Sequence, residues 1–101
     1  MIEEIPSFKI NPEFKDKASV HGPIIDQHAF SERIIEFIES NLNSNYKEIR
    51  LCFLLAPDGE IMEATLEEEG YLKSLERCFE YYLIEEEYEQ CEVINKLIKK
   101  I

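Results

Sequence analysis

No apolar run in this chain approaches the roughly 18 residues that a membrane-spanning helix needs, so a helical membrane protein is not expected. No Cys-x-x-Cys pair occurs, and neither His21 nor His28 stands at metal-ligand spacing from a cysteine. That excludes the usual zinc patterns. No glycine-rich loop is present to cradle a phosphate, and no nucleophile motif stands out. Internal repeats and low-complexity tracts are also missing. Cysteine itself is sparse: Cys52, Cys78 and Cys91 are odd in number and far apart. They read as buried, reduced thiols. Cys78 and Cys91 could meet inside a helical hairpin, but a disulfide is not expected in a reducing compartment.

Positive charge is scarce. Eleven Lys and Arg face 22 Asp and Glu, leaving a net charge of −11. The excess is concentrated: residues 60 to 92 hold twelve glutamates against Lys73 and Arg77. Such a surface repels phosphate backbones and anionic membranes. Direct nucleic-acid binding and membrane binding are therefore disfavoured. A protein partner is favoured, and a basic one most of all. The opening MIEEIPSFKI carries early acids and no long apolar core, unlike a secretory signal, so the cytoplasm is the expected compartment. Usage rich in Ile, Lys, Glu and Asn points to an AT-rich bacterial or phage genome.

What is present fits one small α+β domain. A chain of 101 residues with 45% hydrophobic content can form one modest core. Residues 1 to 25 have no helical or strand period, and Pro6, Pro12 and Pro23 interrupt them. They read as an irregular N-terminal arm. Phe8, Ile10 and Phe14 are its anchors, expected to fold back on the domain, with a partner groove as the alternative.

The domain itself is read over residues 26 to 101, in α-β-β-α-α order. A helix over 26–43 starts at Asp26, whose carboxylate can cap a free backbone amide. Ile25 and Phe30 occupy the positions of a hydrophobic staple. Phe30, Ile34, Phe37, Ile38 and Leu42 recur at helical spacing, with Glu32, Glu36 and Glu39 turned away. A β-hairpin is expected over 47–67, closed by Pro57-Asp58-Gly59. Its alternation places Ile49, Leu51, Phe53 and Leu55 on one face, and Arg50, Cys52 and Leu54 on the other. One hairpin is marginal alone. It needs helices against it, or another strand from the arm or from a second copy.

After Gly70 two apolar stripes follow. The first is Leu72, Leu75, Cys78, Phe79, Tyr82 and Leu83. The second is Tyr88, Cys91, Ile94, Leu97, Ile98 and Ile101. No glycine or proline divides them, but their phase drifts near Ile84 to Glu87. Two antiparallel helices, 71–84 and 86–100, are the reading, with one continuous helix as the alternative.

The piece EEEYEQCEVINKLIKKI, residues 85 to 101, pairs an aromatic with an acid at Tyr88-Glu89, then a small residue at Cys91. It ends in an aliphatic ladder of Ile94, Leu97 and Ile98. In this it resembles the second half of a UVR motif, the small helical hairpin of bacterial excision-repair proteins and of some protease adaptors and regulators. The family's second small residue is Glu92 here, and its arginine-aspartate pair is Asn95-Lys96. The resemblance implies a protein-docking hairpin.

The glutamate runs 67–69 and 85–87 read as solvated acids near helix starts, where they suit the helix dipole. Calcium would want Asp- and Asn-rich spacing with a loop glycine, which these runs lack. His28 lies beside Asp26 with no nucleophile next to it, and His21 reads as a loop residue. No catalytic, cofactor or metal residue is therefore assigned, and an enzyme is not expected. The expected contact residues are Tyr71, Tyr81, Tyr82 and Tyr88, with Glu85, Glu86 and Glu87. Tyrosine combines apolar area with a polar tip and is favoured at interfaces. Tyr81 and Tyr82 are adjacent, so on a helix they cannot share one core direction.

Two functions follow from this reading. One is an accessory protein that docks on a larger protein through an aromatic helix face or the hairpin edge, with a homodimer as a further option. The other is an acidic inhibitor, encoded by a phage or mobile element, that mimics nucleic acid in a basic groove.

Overall fold

The computed structural model describes residues 4–13 and 20–101. Its elements are β1 (Ser7–Lys9), α1 (Gln27–Leu42), β2 (Arg50–Leu55), β3 (Ile61–Thr65), α2 (Tyr71–Ile84) and α3 (Tyr88–Ile98). The fold is α+β. A three-stranded sheet in the order β1-β2-β3 packs on α1, and α2 and α3 form a C-terminal helical hairpin. Among the described residues, no helix is long and apolar enough to cross a membrane.

The arm is not wholly irregular, because it contributes β1. Ser7, Phe8 and Lys9 pair in parallel with Phe53, Leu54 and Leu55. The strand runs parallel to β2 because α1 lies between them in the chain as a crossover. It is only three residues long and buries one side chain, Phe8, so it leaves no readable alternation. Beyond it, Ile10 bridges Ile24 and closes the loop that leads into α1. Phe8 and Ile10 both fold back into the domain's own core. Phe14 lies outside the described residues.

Helix α1 starts as its sequence dictates. The Asp26 carboxylate accepts a hydrogen bond from the Ala29 amide at 3.0 Å, satisfying one of the free amides of the first turn. The staple does not form in the expected way. Ile25 is 61% exposed, and the Phe30 ring instead meets Phe8 edge-on at 5.3 Å. The arm has taken the place of the residue before the cap. Ile34, Phe37 and Ile38 are buried as the stripe requires. Each such side chain contributes about 1.5–3 kcal/mol by leaving water.

Two polar residues on α1 are buried as well. Ser31 meets His21 Nε2 at 2.7 Å, which ties the preceding loop to the helix. Asn41 donates to the Glu48 carbonyl and the Tyr71 hydroxyl, and accepts from the Glu48 amide. One side chain thus joins α1, the approach to β2 and the start of α2.

The hairpin closes at Pro57-Asp58-Gly59. The Gly59 amide donates to the Ala56 carbonyl at 3.0 Å, and Gly59 sits at φ +92°, where a side chain would be strained. The expected alternation of β2 holds except at Leu51. Cys52 and Leu54 turn toward the helices with Phe8 and Ala64, while Phe53 and Leu55 lie on the other face. A bulge between Arg50 and Cys52 adds a residue and brings Leu51 into the core too. Bulges break the strict alternation on which the facing rested.

Candidate functional site

The stretch between the two stripes is a break, not a continuous helix. The Glu87 amide donates to the Tyr82 carbonyl at 2.8 Å, and the Glu86 amide to the Leu83 carbonyl at 3.1 Å. This is the Schellman pattern that ends a helix. Its left-handed position is usually glycine, but here it is Glu86, at φ +59°. A glutamate there costs about 1–2 kcal/mol of backbone strain relative to an ordinary helical residue. The turn reverses the chain, so that α3 folds back along α2.

That reversal sets the turn and the first residues of α3 opposite the first half of α1. Between them lies an open groove of about 700 Å³. Glu32 and Glu36 line it from α1, and Glu86, Glu87 and Glu89 from the turn and α3. His28, Ile35, Tyr82, Tyr88 and Gln90 complete it. Among the described residues, no lysine or arginine lines the groove and none pairs with its five carboxylates.

Among the described lining residues, the one nitrogen base is His28. Its Nε2 lies 2.6 Å from Glu32 Oε1, one helical turn on. Its Nδ1 lies 3.9 Å from Glu87 Oε2, across the groove. The imidazole thus spans two carboxylates held by different elements. It also packs edge-on against the Tyr82 ring, at 6.0 Å between centroids.

Tyr82 is fully buried at the floor, and its hydroxyl has no hydrogen-bond partner among the described residues. Leaving a buried polar group unpaired costs about 1–3 kcal/mol. Burial, and then the neighbouring Glu32, pushes the Tyr82 hydroxyl pKa up, so it keeps its proton across the ordinary range. Tyr81 is shifted up in the same sense, by burial and then by Glu85 and Glu87.

Compared with known proteins, the chain matches no family model, no curated protein and no solved structure. The site's chemistry therefore rests on its own geometry.

Four of the seven contact residues expected from sequence line this groove: Tyr82, Tyr88, Glu86 and Glu87. Tyr88 is 62% exposed at the rim. Tyr81 stands beside the groove, half-buried, with its ring 5.2 Å from that of Tyr82. Glu85 is exposed in the turn but does not line the groove. Tyr71 lies elsewhere: it is 2% exposed and its hydroxyl accepts from Asn41, so it serves the core. Tyr82 likewise presents no free ring face.

Sequence reasoning missed the opposite wall, made by His28, Glu32 and Glu36. These residues fall on one line of α1 at i, i+4 and i+8. That line was legible, but nothing local says that the turn after α2 will face it.

The cysteines are all free and buried. Cys78 Sγ donates to the Ser31 carbonyl and Cys91 Sγ to the Phe79 carbonyl, each at 3.8 Å. Among the described residues, no group of three His, Cys, Asp or Glu side chains is placed to hold a metal ion.

A second surface is the outer face of the sheet. Phe53 and Leu55 are partly covered there, and Ile61 is 66% exposed. β3 is an edge strand, with Glu63 at its centre.

Proposed function

We propose that this chain is a non-catalytic docking protein whose groove between α1 and the α2–α3 turn receives a basic segment of a protein partner. The observation that carries the reading is the groove's lining: among the described residues, five carboxylates, no lysine or arginine, and a buried tyrosine hydroxyl without a partner. Crowded carboxylates repel one another, and a cationic guest relieves that repulsion. Among the described residues, the groove lining includes no serine, threonine or cysteine that could act as a nucleophile. The resemblance of residues 85 to 101 to a UVR hairpin agrees with a docking role for this end of the chain.

The hairpin edge is the weaker docking surface. A two-fold pairing of β3 with a second copy in the register centred on Glu63 sets that residue against its own image, and like charges directly opposite destabilise a pair. Single charges of this kind are a common guard on edge strands. A homodimer through this edge in that register is therefore disfavoured.

Calorimetric titration with a short basic peptide tests the reading. Binding to the native chain is expected, weakened at least tenfold in a Glu32→Gln/Glu87→Gln variant. Equal binding by that variant would contradict it. The second reading, an acidic mimic of nucleic acid, draws on the twelve glutamates between Glu60 and Glu92. It requires that many dispersed acids act together. Its mark is a steep loss of affinity for a nucleic-acid-binding enzyme as salt rises beyond about 0.1 M, unaffected by substitutions confined to the groove.

A further inference from the structure

We infer that the groove selects arginine: a guanidinium from the partner segment sits between Glu32 and Glu87 and donates an N–H to the Tyr82 hydroxyl. This rests on the docking reading above and names the side chain that the groove recognises.

His28 provides the first argument. A flat group with two ring nitrogens already reaches toward carboxylates on α1 and on the turn, at 2.6 and 3.9 Å. The two acids are thus spaced to face a planar nitrogen group from both sides. A guanidinium is planar too, and it carries five N–H donors in a fixed fork. It can serve Glu32, Glu87 and Tyr82 together. A lysine ammonium has three donors on one atom and is more strongly hydrated. It loses more on leaving water and reaches fewer of these acceptors at once.

Tyr82 provides the second argument, independent of the acids. Its hydroxyl is buried, unpartnered among the described residues, and on a residue that lines the groove. Retaining its own proton, it still offers lone pairs to an incoming N–H. One ring nearby suits the same guest: Tyr88 is exposed at the rim, and arginine stacks on such a face.

The Tyr82 hydroxyl is covered in the free chain, so the guest must displace a neighbour, and on this proposal that neighbour is His28, whose ring packs on that of Tyr82. The imidazole is 48% exposed and belongs to the first turn of α1, so a rotamer change carries it outward. In the free protein it stands in for the guest. It therefore competes with arginine for the same two carboxylates.

The test is calorimetry on the full chain with two hexapeptides of equal charge, one built on arginine and the other on lysine. The arginine peptide is expected to bind about tenfold more tightly, as bidentate charged pairs exceed point-charge pairs. Tyr82→Phe is expected to weaken the arginine peptide about three- to tenfold and to leave the lysine peptide unchanged. The variant removes an unpaired hydroxyl from the core, so its fold is expected to persist. His28→Ala, on the surface, provides a second arm: freed of its competitor, the groove binds the arginine peptide more tightly.

Equal affinity for the two peptides, both weakened by Glu87→Gln, overturns arginine selection and leaves the docking reading standing. Binding of neither peptide overturns both. Weaker arginine binding in His28→Ala overturns the stand-in role assigned to His28.

Discussion

The Asn41 side-chain amide donates to the Tyr71 hydroxyl at 2.9 Å, in the buried seam between α1 and α2. The same amide group also takes both backbone polar groups of Glu48. Asn41→Leu keeps the volume but leaves these groups unpaired. Loss of about 2–4 kcal/mol of stability is expected, the range for breaking a buried polar network. Tyr71→Phe removes only one acceptor and costs about 1 kcal/mol. Urea denaturation of both variants checks the order. A smaller loss for Asn41→Leu than for Tyr71→Phe would contradict the hub role.

His21 makes stability depend on pH. Burial, and then Arg77, lowers its pKa from 6.5 to about 4. In the unfolded chain the ring regains its ordinary affinity and takes up a proton that the folded ring refuses. Stability is therefore unaffected by His21 above pH 6.5 and falls as pH drops from 6.5 toward 4. The loss is about 1–2 kcal/mol, discounted because the ring is partly solvated. His21→Gln cannot titrate, and its stability should fall less over that window. Denaturation curves at matched pH values decide, and identical slopes for the two proteins would refute the assignment.

On the docking reading, Glu86 trades stability for binding. Glycine at its left-handed position relieves backbone strain, so Glu86→Gly is expected to gain about 1 kcal/mol. The same change removes one groove carboxylate and weakens binding of a basic peptide. Thermal melts paired with peptide titration test both halves. A variant that is less stable, or that binds the peptide more tightly, contradicts this account.

The thiols are expected to be inert in the folded chain. Burial pushes the Cys52 thiol up to about 11 and Cys78 up to about 12. The thiolate is the reactive form, so both are protected by proton retention as well as by packing. A disulfide-exchange reagent should modify Cys52 and Cys78 only slowly until denaturant is added. Rapid reaction of either in the native protein would show that the core opens more freely than its packing implies.

Much of this fold was legible in particular residues. Asp26 marks the start of α1, Pro57-Asp58-Gly59 marks the hairpin, and the phase drift near Ile84 marks the break before α3. β1 was not legible, because three residues between prolines carry no period. The alternation of β2 was legible except at Leu51, which a bulge with no glycine to mark it turns into the core. The groove was half legible. Tyr82, Tyr88, Glu86 and Glu87 stood out by type and crowding, but His28, Glu32 and Glu36 join them only through tertiary packing. Tyr71 looked like a contact residue and is core, since a buried Asn41 awaits its hydroxyl 30 residues away in sequence.

The most direct measurement is a two-dimensional amide NMR titration of the labelled chain with an arginine-containing basic peptide. The account predicts saturable shifts concentrated at His28, Glu32, Tyr82, Glu87 and Tyr88, with β3 unmoved. Shifts confined to β3 and the outer sheet face, or none at all, would contradict it.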